Sequence, residues 1–377
     1  MKYPIRIGIV GGGQLGKMLT IAAKKLGFYV TVIDPTIQSP AGQVADKQII
    51  ADYKDEKSIE ELAQSSDFIT FEIELANDSA LFNILSRGKK VNPHPKTLSI
   101  IRDKLTQKNF LKENKIPTAK FKEVLSVNDI EKNAEEFGYP LMLKARTDAY
   151  DGRGNFLVRK KGDFKKGLEK LKGRKLYIEK FVPFIKELAI MVARGINEEI
   201  KSYPVVETIH KNNICDTVLV PGRVSLKIQK MAKKLAERTV SKLKGAGVFG
   251  IEMFLTKDNK ILVNEIAPRV HNSGHFTIEA SITSQFEQHI RAISGLPLGS
   301  TDLIPKAAVM KNILGENHGN GFPKGIEKAL AISGVSLHIY GKKESRPQRK
   351  MGHITVMGNS IEECLNKANR ARKVLII

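Results

Sequence analysis

The chain begins with a short apolar run, Ile5–Val10, that leads through Gly11-Gly12-Gly13-Gln14-Leu15-Gly16 into a helical spacing of apolar positions over Met18–Leu26. A second buried-type run, Tyr29–Ile33, ends at Asp34, and strand and helix patterns alternate as far as Val91. Such alternation predicts an α/β unit, a doubly wound parallel sheet covered by helices. Asn92-Pro93-His94-Pro95 cannot continue a helix and marks a boundary. Beyond it the pattern is mixed. It predicts a helix over Arg102–Lys115, a strand Tyr139–Lys144 opening on the loop Arg146–Gly154, and a strand Leu176–Phe181 before Val182-Pro183. A hairpin over Gly247–Glu265 and an amphipathic helix over Ser284–Ile293 follow. Gly295-Leu296-Pro297-Leu298-Gly299 marks a second boundary, after which short strands and a closing helix, Ile361–Ala371, complete the pattern.

At 377 residues, two or three domains are expected. Composition is globular, with 41% hydrophobic and 27% charged residues. No apolar run reaches the ~18–20 residues of a membrane helix. The N-terminus runs straight into a strand pattern instead of a cleavable signal. Cys215 and Cys364 are too few for a disulfide scaffold, so a reducing cytoplasm is the expected location. The net charge of +22 first points to nucleic acid. However, the first hundred residues are nearly neutral, and Lys far outnumbers Arg, the residue favoured at base-reading sites. Solvated faces such as Lys227–Lys244 account for most of the excess, and neither a nucleic-acid nor a membrane partner is expected.

The first glycine loop fits G-x-G-x-x-G, with Asp34 placed where a ribose-binding acid would sit in a dinucleotide fold. Three readings stay open for it: NAD binding, a phosphate site for another ligand, or a tight turn of the sheet. The hairpin is more specific. A turn on Asp258-Asn259 that pairs Lys257 with Lys260, or a four-residue loop that pairs Thr256 with Ile261, sets Glu252 directly opposite Glu265. Like charges facing across a ladder destabilise it. A cation between them resolves the conflict, and Mg²⁺ suits two carboxylates plus phosphate oxygens. Just downstream, Pro268-Arg269-Val270-His271-Asn272-Ser273-Gly274-His275 gathers a guanidinium, an amide and two imidazoles, a composition no core element needs. Lys144 closes an apolar strand, and the loop Tyr150-Asp151-Gly152-Arg153-Gly154 follows within ten residues. A lysine point charge and a glycine lid suit nucleotide phosphates. Glu179, at a strand end, and Glu187 complete a candidate nucleoside triphosphate site. The backbone of Lys180, Phe181 and Val182 would read the adenine edge, and Glu187 would hold the ribose.

These residues together resemble an ATP-grasp enzyme. The segments GGGQLGKM (11–18), LTQK (105–108), YDGRG (150–154), NEIAPRVHNSGH (264–275), SQFEQHIRAI (284–293) and RPQRKMGH (346–353) go further. They resemble the family of ATP-dependent 5-(carboxyamino)imidazole ribonucleotide synthases of purine biosynthesis, over nearly the whole chain. The resemblance implies an N-terminal pre-ATP-grasp domain over 1–98, an ATP-grasp domain over 99–296 with a lid at about 116–181, and a small β-rich domain over 297–377. It implies ATP-dependent carboxylation of 5-aminoimidazole ribonucleotide with bicarbonate, through carboxyphosphate. A homodimer is implied as well, with the product passed to a separate mutase.

By position in the motifs, Lys104 and Lys144 would contact ATP phosphates, Glu179 and Glu187 the adenosine, and Glu252 and Glu265 Mg²⁺. Arg269 would bind bicarbonate, and His271 and Asn272 would meet the reacting amine or carboxyphosphate. Tyr150, Asp151 and Arg153, flanked by Gly152 and Gly154, would meet the aminoimidazole nucleotide, with either Glu72 or Glu74. Lys343, Arg346, Arg349 and Lys350, with Gln14, fit its phosphate. Two positions depart from the pattern. Ala267 stands where many ATP-grasp enzymes carry Asn, leaving Asn264 as the candidate assistant. Gln348 stands at a usual glycine, where a positive φ would strain it. The competing readings are a formate-dependent transformylase of the same superfamily, an NAD-dependent oxidoreductase and a nucleic-acid-binding protein.

Overall fold

Each residue of the first strand, Arg6–Val10, is buried except Arg6 itself, as expected of a strand with parallel neighbours on both sides. The computed structural model describes residues 3–148 and 154–377. Arg6–Val10 lies between Tyr29–Ile33 and Phe68–Phe71, and Lys47–Ile49 and Lys90–Val91 extend the parallel sheet on either side. Chain order reverses at the first strand. A crevice at such a switch point is the usual ligand position in an open α/β sheet, and here Gly11–Gly13 and Glu72 occupy it.

The helix expected over 102–115 is two helices, Pro95–Arg102 and Lys104–Glu113. Asp103 separates them in an extended conformation. Its Oδ1 accepts from the N–H groups of Leu105 and Thr106, and its carboxylate receives the Arg146 guanidinium at 2.7 Å. A capped acid at that position turns the chain and brings Lys104 to the head of the second helix. Four antiparallel strands follow in the order Phe121–Val124, Leu176–Lys180, Leu141–Ala145, Asn155–Val158. With the helix Val127–Phe137 they enclose a separate core that includes Ile130, Phe137, Leu143, Val158 and Ile178.

The third sheet joins the rest of the molecule. Its order is Ile261–Ala267, Gly247–Thr256, Phe184–Arg194, Val206–Lys211, Ile214–Val220, Ala307–Leu314, Lys350–Gly358, Val335–Ile339. Ala307–Leu314, Lys350–Gly358 and Val335–Ile339 therefore extend the central sheet, through pairs such as Leu219 with Val309, while Gly319–Asn320 and Glu344–Ser345 pair with each other apart from it. Helix Gln285–Ser294 packs against Gly247–Thr256, and Ile361–Val374 covers the C-terminal strands. Among the described residues no helix is long and apolar enough to cross a membrane.

The hairpin reaches the expected carboxylate pair by a different route. The turn pairs Leu255 with Ile261, one position away from the expected register. Asn259 adopts a φ of 58°, and the Thr256 hydroxyl accepts from the Lys260 N–H, so five residues close the turn instead of four. A bulge at Asn264 then restores the alignment, and Glu252 faces Glu265. Lys108 holds the bulge by donating to the Asn264 carbonyl at 3.0 Å, and the Gln107 side chain accepts from the Ile266 N–H at 3.1 Å.

Candidate active site

The floor of the cleft is built on Glu252 and Glu265. Burial and the opposed Glu265 raise the pKa of Glu252. Glu265 escapes that fate. Burial works to raise it as well, but Lys104, 2.5 Å from its Oε1, outweighs burial and holds it low. Lys104 lies 3.8 Å from Glu74, which in turn binds Arg269 at 3.2 Å. Among the described residues the Arg269 Nε is buried without a hydrogen-bond partner, so one donor remains for an anion. His271 fits against the central sheet only because Gly250 has no side chain: a Cβ there would lie 2.7 Å from the His271 Cβ. Its Nε2 stands 3.5 Å from Glu252 and its Nδ1 2.8 Å from the Ser273 hydroxyl. Burial first, then Arg269, pushes its pKa far down, so the ring is neutral at pH 7.

Beside this floor, Glu179 bridges two lysines, Lys144 at 2.5 Å and Lys108 at 2.6 Å. Burial alone would raise its pKa, but the two ammonium groups pull it down to about 2. Both carboxylate oxygens are thus engaged. Glu179 thereby holds Lys144 in place. Glu187 lies on Phe184–Arg194 with its Oε2 2.6 Å from the His210 Nδ1. His210 was not singled out by its sequence. It lies in the ordinary strand pattern of Val206–Lys211, and only the pairing of Glu187 with Thr208 brings the two strands together. Phe184 and Phe254 stack nearby, with ring centroids 4.5 Å apart. Lys180, Phe181 and Val182 form the link between the four-stranded sheet and the central one, and the Lys180 N–H is bound by the Lys120 carbonyl. Asn264 occupies the bulge, its carbonyl taken by Lys108. The side chains of Asn272 and Asn312 pair with each other at 2.9 and 2.7 Å. Tyr150, Asp151, Gly152 and Arg153 lie outside the described residues. Gly154 enters the strand Asn155–Val158 at a φ of 94°.

The first glycine loop does not present an open phosphate cradle. The Gly12 N–H donates to Asp34 at 2.9 Å and the Gly13 N–H to Glu72 at 2.6 Å. Two carboxylates seated on those amides would repel a pyrophosphate, which removes the structural basis for NAD there. Gln14 begins the helix Gln14–Lys25 beside this loop. Glu72 and Glu74 have separate surroundings: Glu74 joins Lys104 and Arg269, whereas Glu72 is buried against the glycine loop and feels the charge of Lys342.

Lys342 is a second residue that the sequence pattern does not single out. Lys343 is exposed, whereas Lys342 donates to the Lys350 carbonyl at 2.7 Å. Burial and then Arg349 push the pKa of Lys342 down to about 7. Arg349 donates to the Glu344 carbonyl at 2.7 Å, and Arg346 is exposed. Gln348 adopts a φ of 68°, the strained conformation its place in the motif predicts, and its N–H is bound by the Gly315 carbonyl at 2.8 Å. Lys350 influences both groups, lowering Glu252 and His271 as well as Lys342.

A four-stranded unit packed as a separate core beside a central antiparallel sheet, with paired carboxylates and a buried lysine at their junction, defines an ATP-grasp enzyme. The family models agree: an ATP-grasp domain matches residues 109–286, a ribonucleotide synthetase preATP-grasp domain 4–102, and a phosphoribosylaminoimidazole carboxylase C-terminal domain 308–367. The N5-carboxyaminoimidazole ribonucleotide synthetase of Thermotoga maritima is 52% identical, with a TM-score of 0.89 over 99% of both chains. The synthase of Aspergillus clavatus, solved with ADP and 5-aminoimidazole ribonucleotide, is 38% identical, with a TM-score of 0.91 over 98% of both chains. The phosphoribosylaminoimidazole carboxylase of Ogataea methanolica is 46% identical over 366 residues, 95% of this chain and 67% of that protein. The chain spans about two thirds of the length of such fungal carboxylases. The chain belongs to the N5-carboxyaminoimidazole ribonucleotide synthase family.

Proposed function

We propose that this protein carboxylates 5-aminoimidazole ribonucleotide, using ATP and bicarbonate and yielding N5-carboxyaminoimidazole ribonucleotide, ADP and phosphate. The observation that carries the reading is the Glu252/Glu265 pair ringed by Lys104, Arg269 and His271, with Lys144 beside it. Bicarbonate oxygen attacks the γ-phosphorus of ATP, ADP leaves, and carboxyphosphate forms. The exocyclic amine then takes the carboxyl group, with loss of phosphate and a proton.

Phosphoryl transfer asks mainly for positioning and charge neutralisation. Lys144, held by Glu179, and Lys104, held by Glu265, supply fixed positive charge. Among the described residues no cluster of three or more acidic, His or Cys side chains forms a metal cage. Two opposed carboxylates are nevertheless the donor set Mg²⁺ takes when phosphate oxygens complete its shell, and Glu252 and Glu265 face each other across the hairpin. Glu252 and Glu265 would hold that ion, which would neutralise β- and γ-phosphate charge. Arg269, through its free Nε, binds bicarbonate. His271 is neutral and offers a hydrogen bond to the amine or carboxyphosphate. Glu187 and His210 meet the ribose of ATP. Lys342, with Arg349, takes the phosphate of the aminoimidazole nucleotide at the junction with Glu72.

The division at 1–98, 99–296 and 297–377, with its lid at about 116–181, belongs to this reading, as do the homodimer and the hand-over of product to a mutase. Bicarbonate-dependent ADP release, with and without 5-aminoimidazole ribonucleotide, tests it directly. Stimulation by formate in place of bicarbonate, with formyl transfer to the nucleotide, would overturn it. Glu265→Gln is expected to abolish ATP turnover with the melting curve retained; ordinary turnover at saturating Mg²⁺ would reject the metal role.

A further inference from the structure

The segment carrying Arg269, His271 and Asn272 leaves the strand Ile261–Ala267 and makes only a short 3-10 turn, Asn272–Gly274. Its own backbone does little to fix it. Neutral side chains from other elements do so instead. Gln285, wholly buried at the start of helix Gln285–Ser294, accepts from the His271 main-chain N–H at 2.9 Å and donates to the His271 carbonyl at 2.7 Å. A neighbouring β-strand would make the same double pairing. Gly274 permits the approach, because a Cβ there would lie 2.6 Å from the Gln285 Oε1. Behind Gln285, the His275 Nδ1 lies 3.2 Å from its Nε2. The His275 ring packs 4.8 Å from that of His353, whose Nδ1 is 3.0 Å from the Tyr340 hydroxyl. Tyr340 stands two residues before Lys342, and its carbonyl is gripped by Lys17 at 3.1 Å.

The chemistry of the grip explains the residue type. Pairing with both groups of one peptide needs an acceptor and a donor side by side, which an amide has and a carboxylate lacks. An amide also adds no charge beside Arg269 and Glu252. Gln285 is wholly buried and its bonds to His271 are partly so, so losing one leaves a poorly solvated partner.

We propose that Gln285 is a positioning residue for carboxyl transfer: by pairing with both main-chain groups of His271 it sets the imidazole beside Glu252. Through His275, His353 and Tyr340 it ties that placement to the segment carrying Lys342. The inference rests on the functional reading above.

Gln285→Met removes both bonds at nearly constant volume. With ATP, bicarbonate and 5-aminoimidazole ribonucleotide, product formed per ADP released falls at least about tenfold, while the KM for ATP stays within about twofold. His271→Ala gives a similar loss, and the double variant is no worse than His271→Ala alone, because Gln285 acts through that side chain. Should Gln285→Met fail to fold, Gln285→Glu, which keeps the acceptor and lacks the donor, is read in the same cycle. Wild-type product yield in the Gln285 variant, or a double variant that multiplies the two single losses, overturns the positioning role. Wild-type yield in His271→Ala overturns the functional reading of His271, and the inference with it.

Discussion

At the scale of single residues, the charged groups of the cleft act in pairs, and their neighbours set what each can do. Lys342 has its pKa pushed down to about 7 by burial and by Arg349. A phosphate placed against it favours the charged form, so binding takes up a proton at any pH above that value. Affinity for 5-aminoimidazole ribonucleotide is therefore expected to weaken as pH rises from about 7 towards the ordinary lysine value of about 10.5. Lys342→Arg removes that dependence, and Lys343→Ala leaves it intact. Titration calorimetry at about pH 6.5 and about pH 9 distinguishes these outcomes. Lys108 works in the opposite sense, as a silent partner. It and Lys144 share the buried carboxylate of Glu179, and removing one partner of a buried ion pair costs about 3–5 kcal/mol. Lys108→Met is expected to show a loss of that order in urea unfolding and a lowered kcat, since Glu179 and the Asn264 bulge lose a common anchor. Unchanged stability would show that the pair contributes nothing net.

Among elements, the hairpin and the Tyr340–Lys350 segment show how local backbone geometry delivers function. The turn is displaced by one residue and the Asn264 bulge compensates, so the carboxylates meet despite a register that would otherwise oppose Glu252 with Asn264. Tyr340–Lys350 depends on Gly341, at a φ of 79°, whose carbonyl accepts from the Gln43 side chain at 2.7 Å. A Cβ on Gly341 would approach the Gln43 Oε1 to 2.3 Å. Gly341→Ala is expected to strain the segment by about 1–2 kcal/mol and detach it from the N-terminal sheet. The KM for the aminoimidazole nucleotide should rise severalfold, with that for ATP unchanged; steady-state kinetics in both substrates reads the split. Equal increases in both would place the defect elsewhere.

For the whole molecule, the continuity of the third sheet and the separateness of the four-stranded one predict different mobilities. Strands from Ile261–Ala267 through Val335–Ile339 share one sheet, while the strands Phe121–Val124, Leu141–Ala145, Asn155–Val158 and Leu176–Lys180 close on a core of their own. Amide hydrogen exchange should show the four-stranded unit opening at lower free energy than the central sheet. ATP should slow exchange there first. Uniform protection across both would show that the separate core confers no separate mobility.

Much of this was legible in the chain itself. The first apolar runs and glycine loop predicted the parallel sheet, because periodicity and turn chemistry are local properties. The opposed glutamates of the hairpin were legible for the same reason, whereas the burial of Asn272, Ser273 and His275, polar residues that composition alone would keep out of a core, was not. Long-range neighbours were not legible. Nothing near His210 indicated that it would meet Glu187, and nothing near Glu179 that two lysines would absorb its charge. Adjacent Lys342 and Lys343 are alike in composition and differ only in burial. The glycine loop illustrates the division most clearly. Its spacing is that of a phosphate cradle, yet Asp34 and Glu72 occupy its amides. Sequence determines which groups a segment offers, since that depends on residue type and spacing. Only the tertiary structure decides which of those groups are already paired, because hydrogen bonding and desolvation depend on what packs against them.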